Sequence, residues 1–249
     1  MMRKYPLFRW KLHEFTFEWQ LAFKTLKIGF PMALQQLMVS VGFIFLQRAV
    51  NSYGEAMTAS FSVAQKVETY MILPASALMT TLATYTAQNI GAGKLDRVQI
   101  GAKQTVIISE IISICILMAV FICARPIVTA FGLGPEAIEY CTSHVRCIAI
   151  CLILFASYFP LLGLFQGAND ALYSTFVATS ALTIRVASTY ILQTFPAISY
   201  QMIWWNVLFG WGLGCILTWN HFFRGKWMQK SGLEFADKDF SIRKQCTSK

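Results

Sequence analysis

Apolar residues run through this chain in six long stretches, separated by more polar segments that contain turns. The stretches cover residues 28–47, 69–93, 104–124, 147–169, 171–195 and 199–223. Each is close to the roughly 20 residues that an α-helix needs to cross a bilayer. They lack the period-two alternation of a membrane β-barrel. The pattern therefore predicts an all-α integral membrane protein, built as a six-transmembrane-helix bundle.

The turns between the stretches contain residues that end and begin helices. Turn-type clusters occupy residues 51–54, 132–135, 167–170 and 195–197. In the turn after the second stretch, Gly91 and Gly93 can adopt the left-handed backbone that stops a helix. Asp96 is expected to cap the helix that follows.

Composition and charge also indicate a membrane protein. The chain is 56% hydrophobic and only 13% charged, whereas a soluble domain carries about 25% charged residues. The net charge of +9 comes from Lys and Arg in short loops and at the two ends, where such residues orient a protein in a bilayer rather than bind nucleic acid. We expect a multi-pass plasma-membrane protein with both termini and the 91–97 loop in the cytoplasm.

This pattern divides the chain into three segments without catalytic motifs. Residues 1–23 form a cytoplasmic N-terminal segment, residues 24–224 the transmembrane bundle, and residues 225–249 a loose, basic cytoplasmic tail. The seven cysteines include no Cys-x-x-Cys pair and the three histidines lie far apart. No nucleophile elbow, zinc-protease motif or phosphate-binding loop occurs. We expect no enzyme activity, no metal and no cofactor, and any transport would use an ion gradient.

The loop between the second and third stretches is the most distinctive segment. It contains, in order, Gln88, Asn89, Gly91, Gly93, Lys94, Asp96 and Arg97. This loop resembles the one in the second lobe of multidrug and toxic-compound extrusion (MATE) transporters. The similarity extends to residues 27–31, 46–54 and 64–68 and to Arg146 and Arg185. The chain is thus similar to the C-terminal six-helix lobe of that two-lobe fold.

The resemblance implies a lobe of a secondary-active multidrug or organic-cation exporter, with H⁺ or Na⁺ as the coupling ion. It implies small cationic or amphipathic substrates, a surrounding lipid bilayer, and a second six-helix lobe, either an identical chain or a separate N-terminal lobe. Two features of the sequence depart from the family pattern. Gln35 and Gln36 stand in a helix where some relatives carry an acid, and Asn169 stands where the family has a turn glycine. The alternative interpretation is a membrane scaffold, or a truncated remnant, that does not transport without a separate lobe.

Polar and charged residues in and beside the apolar stretches are the candidates for a substrate or ion cavity. They are Gln35, Gln36, Asn51, Gln65, Glu68, Gln104, Arg146 and Arg185. Ionisable groups at membrane depth are costly, and the rise of about 1.5 Å per helical residue places Glu68, Arg146 and Arg185 at similar depths. With Lys66 also nearby, we expect Glu68 to form a structural ion pair rather than carry a proton. Hydrogen bonds between helices are the alternative role for the amides.

The face that would meet a second lobe is expected to carry small and polar residues. The candidates are Gln35, Gln36, Ser40 and Gly42 in the first stretch, and Ser157 and Gly163 in the fourth. Exposing such a polar face to lipid is unfavourable, because its groups lose both water and partners. We therefore expect the functional form to contain two lobes.

Overall fold

The computed structural model of the protein describes residues 18–194 and 204–230. These residues form six long helices and one short one. They are α1 (Trp19–Asn51), α2 (Glu55–Gly91), α3 (Leu95–Thr129), α4 (Pro135–Gly167), α5 (Ala171–Gln193), α6 (Asn206–Arg224) and α7 (Lys226–Lys230). The described part of the chain contains no strand. The all-helical prediction is confirmed.

Four helical segments are long and apolar enough to cross a membrane. Within the described residues these are Ala33–Asn51 of α1, the whole of α3 and α4, and Ala171–Leu192 of α5. Helices α2 and α6 are also long. Hydroxyl and amide side chains interrupt the apolar residues of α2, and glycine and polar residues interrupt those of α6. Part of this polarity lies on the wall of the cavity described below.

Helix α4 is the centre of the bundle. It packs against α2, α3, α5 and α6, while α1 packs mainly on α5. Close approach of α4 to α2 depends on Gly163, because a Cβ there would collide with the backbone carbonyl of Met79. Gly167 stands in the same relation to Ala83. The prediction that Gly163 lies on the face toward a second lobe is therefore wrong, because this glycine packs inside the lobe.

Left-handed residues follow α2 and α4 at positions that the sequence predicts. Gly93 has φ +70° after α2, and Asn169 has φ +64° after α4, so asparagine takes the place of the family's glycine. Gly91, in contrast, is the last helical residue of α2. Asp96 is not the N-cap of α3: Lys94 occupies that position without a side-chain cap, and Asp96 lies in the first turn. An acid in the first turn still interacts favourably with the helix dipole.

The predicted segment boundaries need two corrections. Helix α1 begins at Trp19, inside the predicted N-terminal segment. The predicted loose tail starts with α7, whose Trp227 is only 1% exposed and stacks with Phe222 at 6.2 Å between ring centroids. The predicted turn at 195–197 and the start of the sixth stretch lie outside the described residues, as do residues 1–17 and 231–249.

The α2–α4 contact gives the first prediction. Gly163→Ala should lower the stability of the lobe by about 1–3 kcal/mol, because an added methyl group meets a backbone carbonyl that cannot rotate away. The measurement is the midpoint of thermal unfolding in a mild detergent, followed by tryptophan fluorescence.

Gly212→Ala is the matched control, since a Cβ at Gly212 in α6 has no atom within 4 Å. Alanine is a better helix former than glycine by up to about 1 kcal/mol, so this variant should melt at the same temperature or higher. Equal midpoints for both variants would show that α2 and α4 do not approach as closely as described.

Candidate functional site

A cavity of about 820 Å³ opens among α1, α2, α4, α5 and α6. It is lined by Gln35, Gln36, Val39, Ser40, Phe43, Ser62, Gln65, Lys66, Glu68, Thr69, Ile72, Ser76, Phe155, Tyr158, Phe159, Leu162, Ala178, Ala181, Leu182, Arg185 and Trp211. Gln36 and Lys66 are exposed at its mouth, whereas Phe155 and Tyr158 are buried at its base. A polar rim over an aromatic interior, at this volume, is typical of a site for a small organic molecule.

A buried ion pair closes the inner end of the cavity. The guanidinium of Arg185 on α5 donates from Nη1 and Nη2 to the two carboxylate oxygens of Glu68 on α2, at 3.2 and 3.5 Å. Its Nε donates to Oδ1 of Asn206 on α6 at 2.9 Å. Both charged residues are 5% exposed. The predicted structural ion pair of Glu68 is therefore present, with Arg185 as its partner.

Close packing of α5 and α6 makes the hydrogen bond from Arg185 to Asn206 possible. Gly210 of α6 lies directly over the backbone of α5, and a Cβ there would be 2.7 Å from the carbonyl oxygen of Ala181. Asn206 lies one turn before Gly210 on the same helix, so the close approach also brings its amide to Arg185. All the hydrogen-bonding groups of this cluster come from three different helices.

Aromatic rings surround the same guanidinium. The Cζ atom of Arg185 is 5.6 Å from the ring centroid of Phe43 and 5.9 Å from that of Trp211. Both distances are within the range of a cation–π interaction. Trp211 also lies 4.8 Å from Phe155, which stacks on Phe159 at 4.2 Å. The aromatic interior is therefore already in contact with a cation that belongs to the protein.

The mouth of the cavity presents amides that are available to a ligand. The side-chain amides of Gln35, Gln36 and Gln65 make no hydrogen bond to any other described residue. The hydroxyl groups of Ser40 and Thr69 instead donate to carbonyls of their own helices, at 3.0 and 2.9 Å. Their oxygens can still accept a hydrogen bond. The mouth can thus donate through three amides and accept through amides and hydroxyls.

Three of the predicted cavity residues lie elsewhere. Asn51 ends α1, where its Oδ1 accepts from Gln47 at 2.8 Å and from Thr58 at 3.2 Å. Gln104 is exposed on α3, outside the cavity. Arg146 is also exposed, 5.9 Å from the ring centroid of Phe121 on α3, and makes no ion pair within the described residues. Arg146, which the sequence places at a depth similar to that of Glu68, therefore does not converge on this carboxylate; Arg185 does.

Two further residues that were expected to face a second lobe are used inside this lobe. Gly42 is buried against Leu182 of α5. Ser157 donates to the carbonyl of Leu154 at 2.9 Å and lies 3.3 Å from Sγ of Cys215 on α6. Small and polar residues at these positions serve helix packing, which is the common role of such residues between membrane helices.

Sequence reasoning missed Asn206, Phe43 and Trp211 as parts of the site. Asn206 carried a usable signal, because a lone amide in an apolar run is expensive unless it has a partner. Phe43 and Trp211 carried no comparable signal, since the chain contains 20 phenylalanines and seven tryptophans.

A second buried polar pair was also missed. Nε2 of His221 near the end of α6 lies 2.8 Å from Oδ2 of Asp170, the residue before α5. The imidazole stacks on Tyr173 at 3.6 Å and meets Phe165 edge-on at 4.8 Å. Asp170 is 1% exposed and His221 7%. This cluster joins the start of α5 to the end of α6, outside the cavity lining.

Comparison with known proteins identifies the family of the chain. The sequence profile of the MatE family matches residues 31–191. The chain belongs to the MatE family, the MATE transporters. The MATE-like lobe predicted from the loop at residues 86–97 is confirmed, and the chain is a membrane protein of a transporter family rather than of an enzyme family.

Individual relatives show how much of a MATE protein this chain represents. It is 24% identical over 187 residues to the probable multidrug resistance protein YpnP of Bacillus subtilis, covering 75% of this chain and 40% of that protein. For the probable multidrug resistance protein NorM of Thermotoga maritima the identity is 20% over 217 residues, covering 87% and 47%. A solved MOP superfamily transporter from Pyrococcus furiosus superposes with a TM-score of 0.80 at 20% identity, covering 90% and 50%. The chain therefore spans about half the length of the relatives it matches.

The Glu68–Arg185 pair gives the second prediction. Glu68→Gln should destabilise the lobe by about 3–5 kcal/mol, because it leaves a buried guanidinium without its carboxylate. The double variant Glu68→Gln/Arg185→Met removes the charge as well and should recover most of the loss. A double-mutant cycle of thermal unfolding in detergent measures the coupling between the two residues.

Arg146→Gln serves as the control for removing a charge at comparable depth. Since Arg146 is exposed and has no ion pair within the described residues, the variant should change stability by no more than about 0.5 kcal/mol. A Glu68→Gln protein that is fully stable but loses ion-coupled export would reverse the assignment and make Glu68 a coupling residue.

Proposed function

We propose that the chain is one lobe of a secondary-active exporter of small amphipathic molecules. The observation that carries this proposal is the cavity of about 820 Å³, with its aromatic interior and open polar mouth, in a lobe of the MATE fold. The relatives YpnP and NorM are named as probable multidrug resistance proteins, which supports a broad range of drug-like substrates. Adaptable aromatic walls and a few unpaired amides suit such a range.

The mouth of the cavity supports a second lobe as the functional partner. Gln36, Ser40 and Lys66 are exposed there, and polar groups in contact with lipid tails would lose their hydration without gaining partners. A second six-helix lobe, from an identical or a separate chain, would cover them and enclose the substrate. Export would then proceed by rocking one lobe against the other around the shared cavity, as in other transporters built from repeats.

Coupling to an H⁺ or Na⁺ gradient is part of the same proposal. Glu68 is the one carboxylate among the described residues lining the cavity, and Arg185 binds both of its oxygens. A carboxylate held in this way is poorly placed to release and rebind an ion in each cycle. We therefore assign Glu68 a structural role and expect the coupling group to lie on the partner lobe.

Orientation gives the third prediction. With the 91–97 loop in the cytoplasm of a plasma-membrane protein, Tyr53 between α1 and α2 lies outside. In a cysteine-free background, an impermeant maleimide added to intact cells should label Tyr53→Cys and leave Lys94→Cys unlabelled. After the membrane is opened, both should react, since both positions are exposed. External labelling of Lys94→Cys would reverse the proposed orientation.

The requirement for two lobes gives the fourth prediction. Reconstituted liposomes with a proton or sodium gradient should show no export of a fluorescent amphipathic probe by the monomeric chain. Mass measurement in mild detergent identifies the species present, and protein-free liposomes give the background rate. Gradient-driven export by a monomer would contradict the proposal that a second lobe completes the cavity.

A further inference from the structure

The charges on the cavity wall do not cancel. Among the described residues that line it, the charged ones are Lys66, Glu68 and Arg185. Glu68 and Arg185 neutralise each other in their ion pair. The wall therefore carries one uncompensated positive charge, on the ammonium group of Lys66.

Lys66 is placed where a ligand can reach it. Its side chain is exposed at the cavity mouth and forms no ion pair with a described carboxylate. It follows Gln65 in α2, whose side-chain amide also has no described partner, and it lines the same cavity as Gln36 of α1. An exposed ammonium group of this kind can pair with an anionic group of a ligand and donate hydrogen bonds to it.

Two of the aromatic rings in the cavity wall already contact a cation of the protein. Arg185 already lies over the rings of Phe43 and Trp211, the groups that would otherwise attract an ammonium ligand. An organic cation entering the cavity would meet the charge of Lys66 at the mouth and the guanidinium at the base. An acidic molecule would instead meet an ammonium group and two free amides, all of them hydrogen-bond donors.

We propose that this lobe preferentially binds amphipathic molecules that carry an acidic group, such as an aromatic carboxylate or sulfonate. The acidic group pairs with Lys66 and accepts hydrogen bonds from Gln36 and Gln65. The apolar part of the molecule lies between Phe159 and Leu162. This inference rests on the proposed function, since it specifies the charge of the ligand in the same cavity.

Two dansyl probes of opposite charge provide the test. Dansylglycine carries a carboxylate and dansylcadaverine an ammonium group on the same fluorophore. Binding of each to the purified chain in an uncharged detergent is measured by fluorescence titration, with empty micelles as the blank. Dansylglycine should bind about tenfold more tightly, which corresponds to about 1.4 kcal/mol.

Substitution of Lys66 decides whether its charge is the cause. Lys66→Gln should weaken dansylglycine binding by about tenfold, and Lys66→Glu should reverse the preference between the two probes. The control is Lys103→Gln, since Lys103 is an exposed lysine on α3 outside the cavity and its loss should leave both affinities unchanged. Because Lys66 is exposed, its variants should fold, and their thermal midpoints verify this.

The outcomes separate the two proposals. Tighter or equal binding of dansylcadaverine would overturn the charge preference and leave the exporter cavity standing. If the Lys66→Glu variant still prefers dansylglycine over dansylcadaverine, Lys66 does not determine the charge preference, and this result also overturns the inference. Saturable binding of neither probe would remove the ligand cavity itself, and with it the proposed function.

Discussion

The fold of this lobe depends on pairing the buried guanidinium of Arg185 with a carboxylate and with further hydrogen-bonding groups. A charge inside a membrane protein is costly unless it is paired and hydrogen-bonded. Arg185 on α5 takes its carboxylate from α2, its amide from α6 and one aromatic ring from α1. Four helices must therefore hold fixed positions around one side chain. The same requirement places the inner end of the cavity, because Glu68, Phe43 and Trp211, which contact Arg185, also line it.

Packing around α4 gives the second constraint, and it leaves one side of the lobe open. Glycines let α2 lie directly on α4, and most of α4 is buried. Helix α1, by contrast, makes few contacts apart from those with α5. Its apolar residues Phe30, Leu37 and Ile44 are well exposed, as suits a lipid-facing surface, whereas Gln36 and Ser40 border the cavity. One helix thus separates lipid from a polar opening.

The helices and turns could be predicted because their causes are local. Apolar runs of spanning length set the helices, and Gly93 and Asn169 end two of them through backbone geometry that only a few residue types adopt. The depth of a residue in the membrane could also be predicted from its position along a helix. Glu68 and Arg185 could therefore be placed at similar depths. The loop at residues 86–97 then identified the family.

Rotation about each helix axis, and the choice of packing partners, could not be read from the sequence. Arg146 has a depth comparable to that of Arg185 but points to the exposed side near Phe121. Gly42, Ser157 and Gly163 have the small or polar character of an interface with a second lobe, yet they pack within this one. Asn206 signals through its polarity that it needs a partner, but that the partner is Arg185 becomes known only when α6 is placed beside α5. Each of these outcomes depends on contacts between helices that are distant in sequence.

The central claim is that the opening between α1 and α2 faces water and a partner lobe rather than lipid. Cysteine accessibility in native membranes tests it most directly, with Gln36→Cys at the opening and Ile111→Cys on α3, where the native side chain is 56% exposed. Gln36→Cys should react with a water-soluble maleimide once both sides of the membrane are accessible, whereas Ile111→Cys should react only with a lipid-soluble one. If Gln36→Cys behaves like Ile111→Cys, the opening faces lipid and the account of the cavity is wrong.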